Sequence, residues 1–297
     1  MALPLTTSAA SRPARPAGRR RIKFSTLFTH VILTIASLSI LIPVLWTART
    51  SFATKDLAYR PAELWFAPTL TNYRQIFVDD TFFTYLGNSL WIAVASALVS
   101  LAIGSLAAYS IARFRTGGSL FSLSILGTQM LPPVALVIPF YLMVRNRVTV
   151  FGHEFGFYDR GLTLIIVYLS FNLPFVVWIL IGFFQSIPRE IEEAARVDGA
   201  TQFQTFRQIV IPVALPGLLA AGVFSFVLSW NEFLFALILT GRESRTMPVA
   251  LASLMTSQGN QVGAICAATI AMMLPIVLLT WVIQRFLVRG LTFGAVK

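Results

Sequence analysis

Residues 190–212 read EIEEAARVDGATQFQTFRQIVIP, and this stretch decides how the rest of the chain is organised. It is the longest charged, helix-forming run between two strongly apolar segments. Pro188 precedes Glu190, Glu192 and Glu193. Proline suits the first position of a helix, and acids suit the positive end of its dipole. Asp198-Gly199 reads as a stop. Thr201 and Gln204, three residues apart, then restart a helix as a capping box. The expectation is a short helix, a tight glycine turn and a second short helix that ends before Pro212.

The segments on either side are too apolar for a water-facing surface. Of 297 residues, 56% are hydrophobic and only 12% are charged, against roughly 25% in a soluble domain. Six apolar runs reach the length of about 20 residues that a helix needs to cross hydrocarbon: 26–48, 87–112, 120–144, 162–184, 214–240 and 263–287. Their length and lack of strict alternation favour helices over barrel strands. The expected class is an all-α integral membrane protein with six transmembrane helices. Residues 1–25 form a disordered basic tail, 26–287 the membrane domain and 288–297 a C-terminal tail. A cleaved signal peptide is the alternative for the N-terminus, but the 26–48 run is longer than the usual apolar core of about 7–15 residues.

Net charge is +11, which by itself could suit nucleic acid. Its distribution argues for topology instead. With the N-terminus inside, the inner segments hold 14 Lys/Arg against 4 Asp/Glu, and the outer ones 9 against 8. Positive charge concentrates on the inner side of membrane proteins. Both termini and residues 190–212 therefore fall on the cytoplasmic side, and nucleic-acid binding drops out. Lipid is the expected surroundings, and the aromatic-rich outer loop 49–86 suits the headgroup level.

Catalytic and metal chemistry find little support. One cysteine, Cys266, allows no internal disulfide, and His30 and His153 lie far apart. No Gly-Lys pair exists, so a phosphate-cradling loop with its lysine is lacking. Pro132, Pro133, Pro139, Pro174, Pro216 and Pro275 punctuate the spans and can bend them. Glu232, in Ser229-Trp230-Asn231-Glu232-Phe233, is the only acid deep in an apolar run. A carboxylate in lipid is costly, so it should face a protein contact, a wet cavity or the outer surface.

Glu193-Ala194-Ala195, Gly199, Ile209 and Ile211-Pro212 together resemble, at every spacing, the EAA loop of ABC importer permeases. The one departure is Ile211 in place of leucine, a volume-conserving change. Arg289 to Lys297 is similar to the C-terminus of maltose-type (MalG-like) permeases for sugars and polyols, and Trp230-Asn231-Glu232 resembles an element in their fifth span. The resemblance covers nearly the whole chain outside residues 1–25 and the loop near 148–158.

It implies the ABC type I importer permease fold. The loop 188–212 would dock on a cytoplasmic ATPase through Glu193, Ala194, Ala195, Asp198, Gly199, Ile209 and Pro212. Gly290 and Gly294 of the tail would also approach the ATPase, and Asn231 and Glu232 would line the pore or touch the other subunit. The implied partners are a second homologous permease, an ABC ATPase dimer, an extracytoplasmic solute-binding protein and a sugar, oligosaccharide or polyol. No cofactor is expected on this chain, since ATP and Mg would sit on the ATPase subunits. The outer loop 241–262 corresponds by position to one that reaches the binding protein. The rivals are a permease for another solute such as glycerol phosphate, an ion-coupled secondary transporter and a membrane scaffold. The transporter would want buried coupling charges or an inverted repeat, and the scaffold gives no reason for the EAA spacing.

Overall fold

The computed structural model describes residues 24–60, 62–78, 80–146, 148–150, 153–254 and 261–293. Two units separate, Met1–Trp46 and Thr47–Lys297. Helix α1 is Phe24–Ser51. The second unit continues with α2 (Lys55–Ala58), α3 (Thr71–Val78), α4 (Asp80–Phe114), α5 (Gly118–Thr128) and α6 (Pro133–Arg145). Next come strands β1 (Val148–Val150) and β2 (His153–Phe155), then α7 (Gly161–Ser186), α8 (Arg189–Val197) and α9 (Gln202–Thr205). A π-helical turn, Phe206–Val210, leads into α10 (Ile211–Val213), α11 (Leu215–Trp230), α12 (Leu234–Leu239), α13 (Met247–Leu254) and α14 (Val262–Phe293).

The frame is a trio of helices, α4, α7 and α11, and small residues set their spacing. A Cβ on Gly104 of α4 would come within 2.7 Å of Val176 in α7, and one on Gly222 of α11 within 2.8 Å of Leu101 in α4. A Cβ on Gly217 of α11 would come within 2.4 Å of the Phe183 ring in α7. Without lipid-to-protein hydrophobic gain, such close backbone approach supplies the packing that holds membrane helices together. Gly161 meets Trp91 at one end, and Arg113 donates to the Ile187 carbonyl at the other, so α4 and α7 run side by side in the same direction. In α11, Phe226 and Trp230 pack on Ala93 and Ala97, which makes it antiparallel to both.

Two apolar clusters close the ends of the trio. Tyr109, Leu180, Phe184, Phe206 and Val210 meet near α8. Ile92, Leu164, Tyr168, Phe235 and Leu239 meet near α12. Elsewhere large apolar side chains face outward, as Leu98 and Trp281 do, which suits lipid and not water.

Several details depart from the expectation. Among the described residues four helices are long and apolar enough to cross a membrane: 28–51, 81–114, 161–186 and 262–284. A fifth is formed only by the bent pair Gln202–Val213 and Leu215–Trp230, at 77°. The expected run 120–144 is two shorter helices, α5 and α6, parted around Gln129–Pro132. Pro132 and Pro133 together withhold two amide donors and force extended backbone before them. The run 214–240 likewise breaks at 231–233. Among the described residues β1 and β2 pair as an antiparallel ladder, Val148 opposite Phe155, a small exception to an all-helical chain. The final helix continues to Phe293, so Gly290 is helical, while Gly294 and residues 1–23 lie outside the described residues. Pro174 and Pro275 sit inside unbroken helices.

Asn72 ties α3 to the end of α1. Its side-chain amide donates to the carbonyls of Ser51 (2.9 Å) and Ala53 (2.8 Å), and Gly263 of α14 leaves room for it.

Candidate functional site

The hairpin 189–213 is built from its caps. Pro188 occupies the N-cap of α8, and Glu190 and Glu192 lie in the first turn. At the other end Gly199 takes φ of +87°, where a side chain is strained. That lets Ala200 N–H reach back to the Ala195 carbonyl (3.0 Å) and Gly199 N–H to that of Arg196 (3.0 Å), the pattern of a Schellman stop. The capping box then forms in both halves: Thr201 N–H donates to Gln204 Oε1 (2.7 Å) and Gln204 N–H to Thr201 Oγ1 (3.3 Å). Beyond it the second arm does not end before Pro212. It widens into the π turn and carries Pro212 into the first turn of α10, where a missing N–H is tolerated. Ala214 then makes the bend into α11.

The side that the hairpin buries is carried by Glu192 and Ala195, with Thr205, Phe206 and Val210 from the second arm. Glu192 Oε1 lies 2.6 Å from Arg113 Nη2, and both side chains are nearly inaccessible. Tyr109 donates its hydroxyl to Glu192 Oε2 at 2.7 Å. The Tyr109 ring also packs on Phe206, with centroids 4.8 Å apart, and on Phe184 at 5.9 Å. The hairpin is thus fastened to the ends of α4 and α7 by one buried ion pair inside an aromatic cluster.

The residues singled out from the sequence divide accordingly. Glu193, Ala194, Asp198 and Gly199 are exposed, Ala195 is buried, Ile209 is half-buried and Pro212 is exposed. The EAA resemblance singled out Glu193, which is turned outward, but gave Glu192 no role; only packing shows Glu192 held inside. Two apolar side chains that drew no notice also stand out. Val197 is 87% exposed and Phe203 63%, one on each side of the Gly199 turn. Their signal was available, as apolar residues flanking the stop of a polar hairpin.

Asn231 and Glu232 lie at the break between α11 and α12. Asn231 is exposed, and its side chain donates to the Val227 carbonyl at 2.9 Å. Glu232 is spent within the chain. Its Oε1 accepts from Phe235 N–H (2.8 Å), and its Oε2 from Ala236 N–H (3.0 Å) and from the Tyr168 hydroxyl (2.8 Å). The carboxylate therefore caps the free amides of α12, which is how a charge is kept among apolar helices. One turn away Asn172 donates to Ser229 Oγ at 2.7 Å.

Asp159, which the sequence gave no reason to choose, organises the far end of α7. Its carboxylate collects the backbone N–H groups of Arg242, Glu243 and Ser244. Burial pushes this carboxyl upward, but the hydrogen bonds from Ser244, Glu243 and Gly241 outweigh it and bring the pKa down to about 2. No group of three or more His, Cys, Asp or Glu able to hold a metal occurs among the described residues.

The molecule is thus a frame of membrane-length helices with a capped polar hairpin, turned at Gly199, set across its end. Residues 100–293 match the family described as binding-protein-dependent transport system inner membrane component, and the chain belongs to it. Its relatives include the trehalose transport system permease protein SugB of Mycobacterium tuberculosis, 34% identical over 94% of this chain and 99% of that one. The diacetylchitobiose uptake system permease protein DasC of Streptomyces coelicolor is 32% identical over 94% and 99%. The trehalose/maltose transport system permease protein MalG of Thermococcus litoralis is 32% identical over 86% and 91%. Among solved structures, a chain of a bacterial ABC transporter that imports the polysaccharide alginate superposes with a TM-score of 0.70 at 23% identity, covering 91% of this chain and 99% of that one. A chain of the MetNI methionine ABC transporter gives 0.51 at 16% identity, over 71% and 99%. The fold is that of an ABC importer permease.

Proposed function

We propose that this chain is one permease subunit of an ATP-driven importer for a sugar, oligosaccharide or polyol, with both termini and the 189–213 hairpin on the cytoplasmic side. The observation that carries the reading is the hairpin itself: rigidly capped, turned at Gly199 and fastened to α4 by Glu192 and Arg113. Its exposed rim of Val197, Phe203 and Glu193 is the surface offered to an ATPase subunit. A second homologous permease, two ATPases holding ATP and Mg, and an extracytoplasmic solute-binding protein complete the assembly. Closure of the ATPases moves the hairpin, and the buried ion pair passes that movement to the helix trio. The saccharide class is supported by relatives whose names specify trehalose, maltose and diacetylchitobiose.

The test is reconstitution of the complex in proteoliposomes with uptake of those three sugars as the readout. Uptake that needs ATP and a loaded binding protein, and that is lost with Val197→Glu or Phe203→Glu, supports the reading. Uptake that persists without any ATPase subunit sinks it in favour of an ion-coupled carrier.

A further inference from the structure

Five polar side chains lie where α4, α7 and α11 meet, and four polar atoms among them meet no partner. Ser96 and Ser100 of α4, Asn172 of α7 and Ser225 of α11 are wholly buried, and Ser229 of α11 is buried nearly as well. Asn172 donates to Ser229 Oγ at 2.7 Å, which joins α7 to α11. Asn172 Oδ1 and the hydroxyls of Ser96, Ser100 and Ser225 have no hydrogen-bond partner among the described residues. Helix register brings the set together. In the parallel pair α4 and α7, Gly104 sits against Val176. One turn back along both helices, on the same faces, Ser100 comes level with Asn172. In antiparallel α11, Gly222 sits against Leu101, and Phe226 packs among Ala93 and Ala97. Ser225, between those two contacts, comes level with the turn that carries Ser100.

Serines elsewhere in these helices satisfy themselves. Ser51, Ser105, Ser124, Ser170 and Ser186 each donate to the carbonyl three residues back, at 2.6–3.2 Å. Ser96, Ser100 and Ser225 do not turn back in this way. Turning the Asn172 amide over would leave its nitrogen unmet in place of its oxygen, so one atom always needs a partner. A polar group left unmet among membrane helices is costly, because hydrocarbon offers no substitute. Water balances the set: it donates to the Asn172 oxygen and to a serine oxygen, and accepts from a serine hydroxyl. About three such bonds are usual for a buried water. We propose that the axis of the trio is an internal water site, in which Asn172, Ser100 and Ser225 hold one water in common. Ser96, one turn along α4, lies at its edge. The direct Asn172–Ser229 bond joins α7 to α11, and the shared water ties α4 to both, as buried polar groups do between membrane helices. The site depends on neither the solute nor the ATPase partners.

The test is thermal unfolding of the detergent-solubilised full chain, parent against Ser100→Ala, Ser225→Ala and the double variant. A shared water makes each single substitution lower the melting temperature by about 2–4 °C, the scale of one hydrogen bond in a chain of this size. The double variant then loses clearly less than the sum, because the first substitution has already broken the bridge. Single variants that melt at or above the parent overturn the proposal, since deleting an unmet hydroxyl from a dry seam relieves its desolvation. Strictly additive losses overturn it as well. If a variant does not fold, the parent complex decides, in a cryo-electron-microscopy map fine enough to show ordered water. Density about 3 Å from the Asn172 amide and from both hydroxyls supports the site. Hydroxyls turned onto the carbonyls of their own helices, with no density between them, overturn it.

Discussion

Arg113, in the last turn of α4, and Glu192, in the first turn of α8, form a buried ion pair with Nη2 and Oε1 2.6 Å apart. The same Arg113 nitrogen donates to the Ile187 carbonyl at 2.9 Å, so one guanidinium holds both the start of the hairpin and the chain that leads into it. A buried pair need not be stabilising overall, but removing one partner strands the other's charge, at a cost of roughly 3–5 kcal/mol.

Glu192→Ala is accordingly expected to lower the unfolding temperature of the detergent-solubilised protein by a margin far larger than Glu193→Ala. Arg113→Met combined with Glu192→Leu should recover most of that loss, because no charge is left buried. Equal effects of Glu192→Ala and Glu193→Ala in the same thermal assay would contradict the packing described for α8.

At the apex, Gly199→Val places a branched side chain at φ of +87°. A left-handed conformation costs a non-glycine residue roughly 1–2 kcal/mol, and a β-branched residue pays at the upper end. Expected are a complex that still assembles and a fall of about tenfold in sugar uptake per ATP hydrolysed. Gly199→Asn, better tolerated there, should lie nearer the parent, and the uptake-to-hydrolysis ratio reads the difference.

Val197→Glu and Phe203→Glu alter side chains already in solvent, so the subunit's own stability should change by no more than about 0.5 kcal/mol. Affinity purification through this chain should then recover much less ATPase. Full recovery in both variants would place the contact elsewhere.

Replacing Glu232 with alanine uncovers two amides of α12 and leaves the Tyr168 hydroxyl without its acceptor. Each buried group left unmet costs about 1–3 kcal/mol. Tyr168→Phe, which removes only the donor, is expected to be milder. The order of melting temperatures, parent above Tyr168→Phe above Glu232→Ala, checks the capping role; a reversed order would refute it.

Asp159 gives a dependence on pH whose sign follows from its depressed pKa of about 2, below the ordinary value of 3.8. A carboxylate lowered by folding contributes stability that is fully present above its unfolded pKa and is lost as pH falls through the folded one. The 241–245 loop should therefore be unchanged from neutrality to about pH 4 and loosen between roughly pH 4 and pH 2. Cleavage of this loop by pepsin across that range is the readout, and Asp159→Asn should remove the step because the amide does not titrate.

Much of this was legible in the residues. The Gly199 turn and the Thr201–Gln204 box are local, each closed by groups within a few positions, so spacing alone specifies them. Long apolar runs likewise announce their own environment. Where neighbours decide, spacing misleads. Pro212 looked like a terminator because proline breaks a regular helix, yet the π turn before it accommodates the missing donor. The run 120–144 looked continuous because hydropathy is blind to the two lost amides at Pro132 and Pro133.

By itself the sequence determined that the chain lives among lipid, which way its charge leans, and that a hinged polar hairpin interrupts its apolar spans. Those properties are sums over neighbouring residues or patterns a few positions long. Only the tertiary structure decided which glutamate of three is buried, that Glu232 caps α12, and that Asp159 holds a loop more than eighty positions away. Each depends on two distant segments meeting at hydrogen-bond distance, and the packing of α4, α7 and α11 sets that distance.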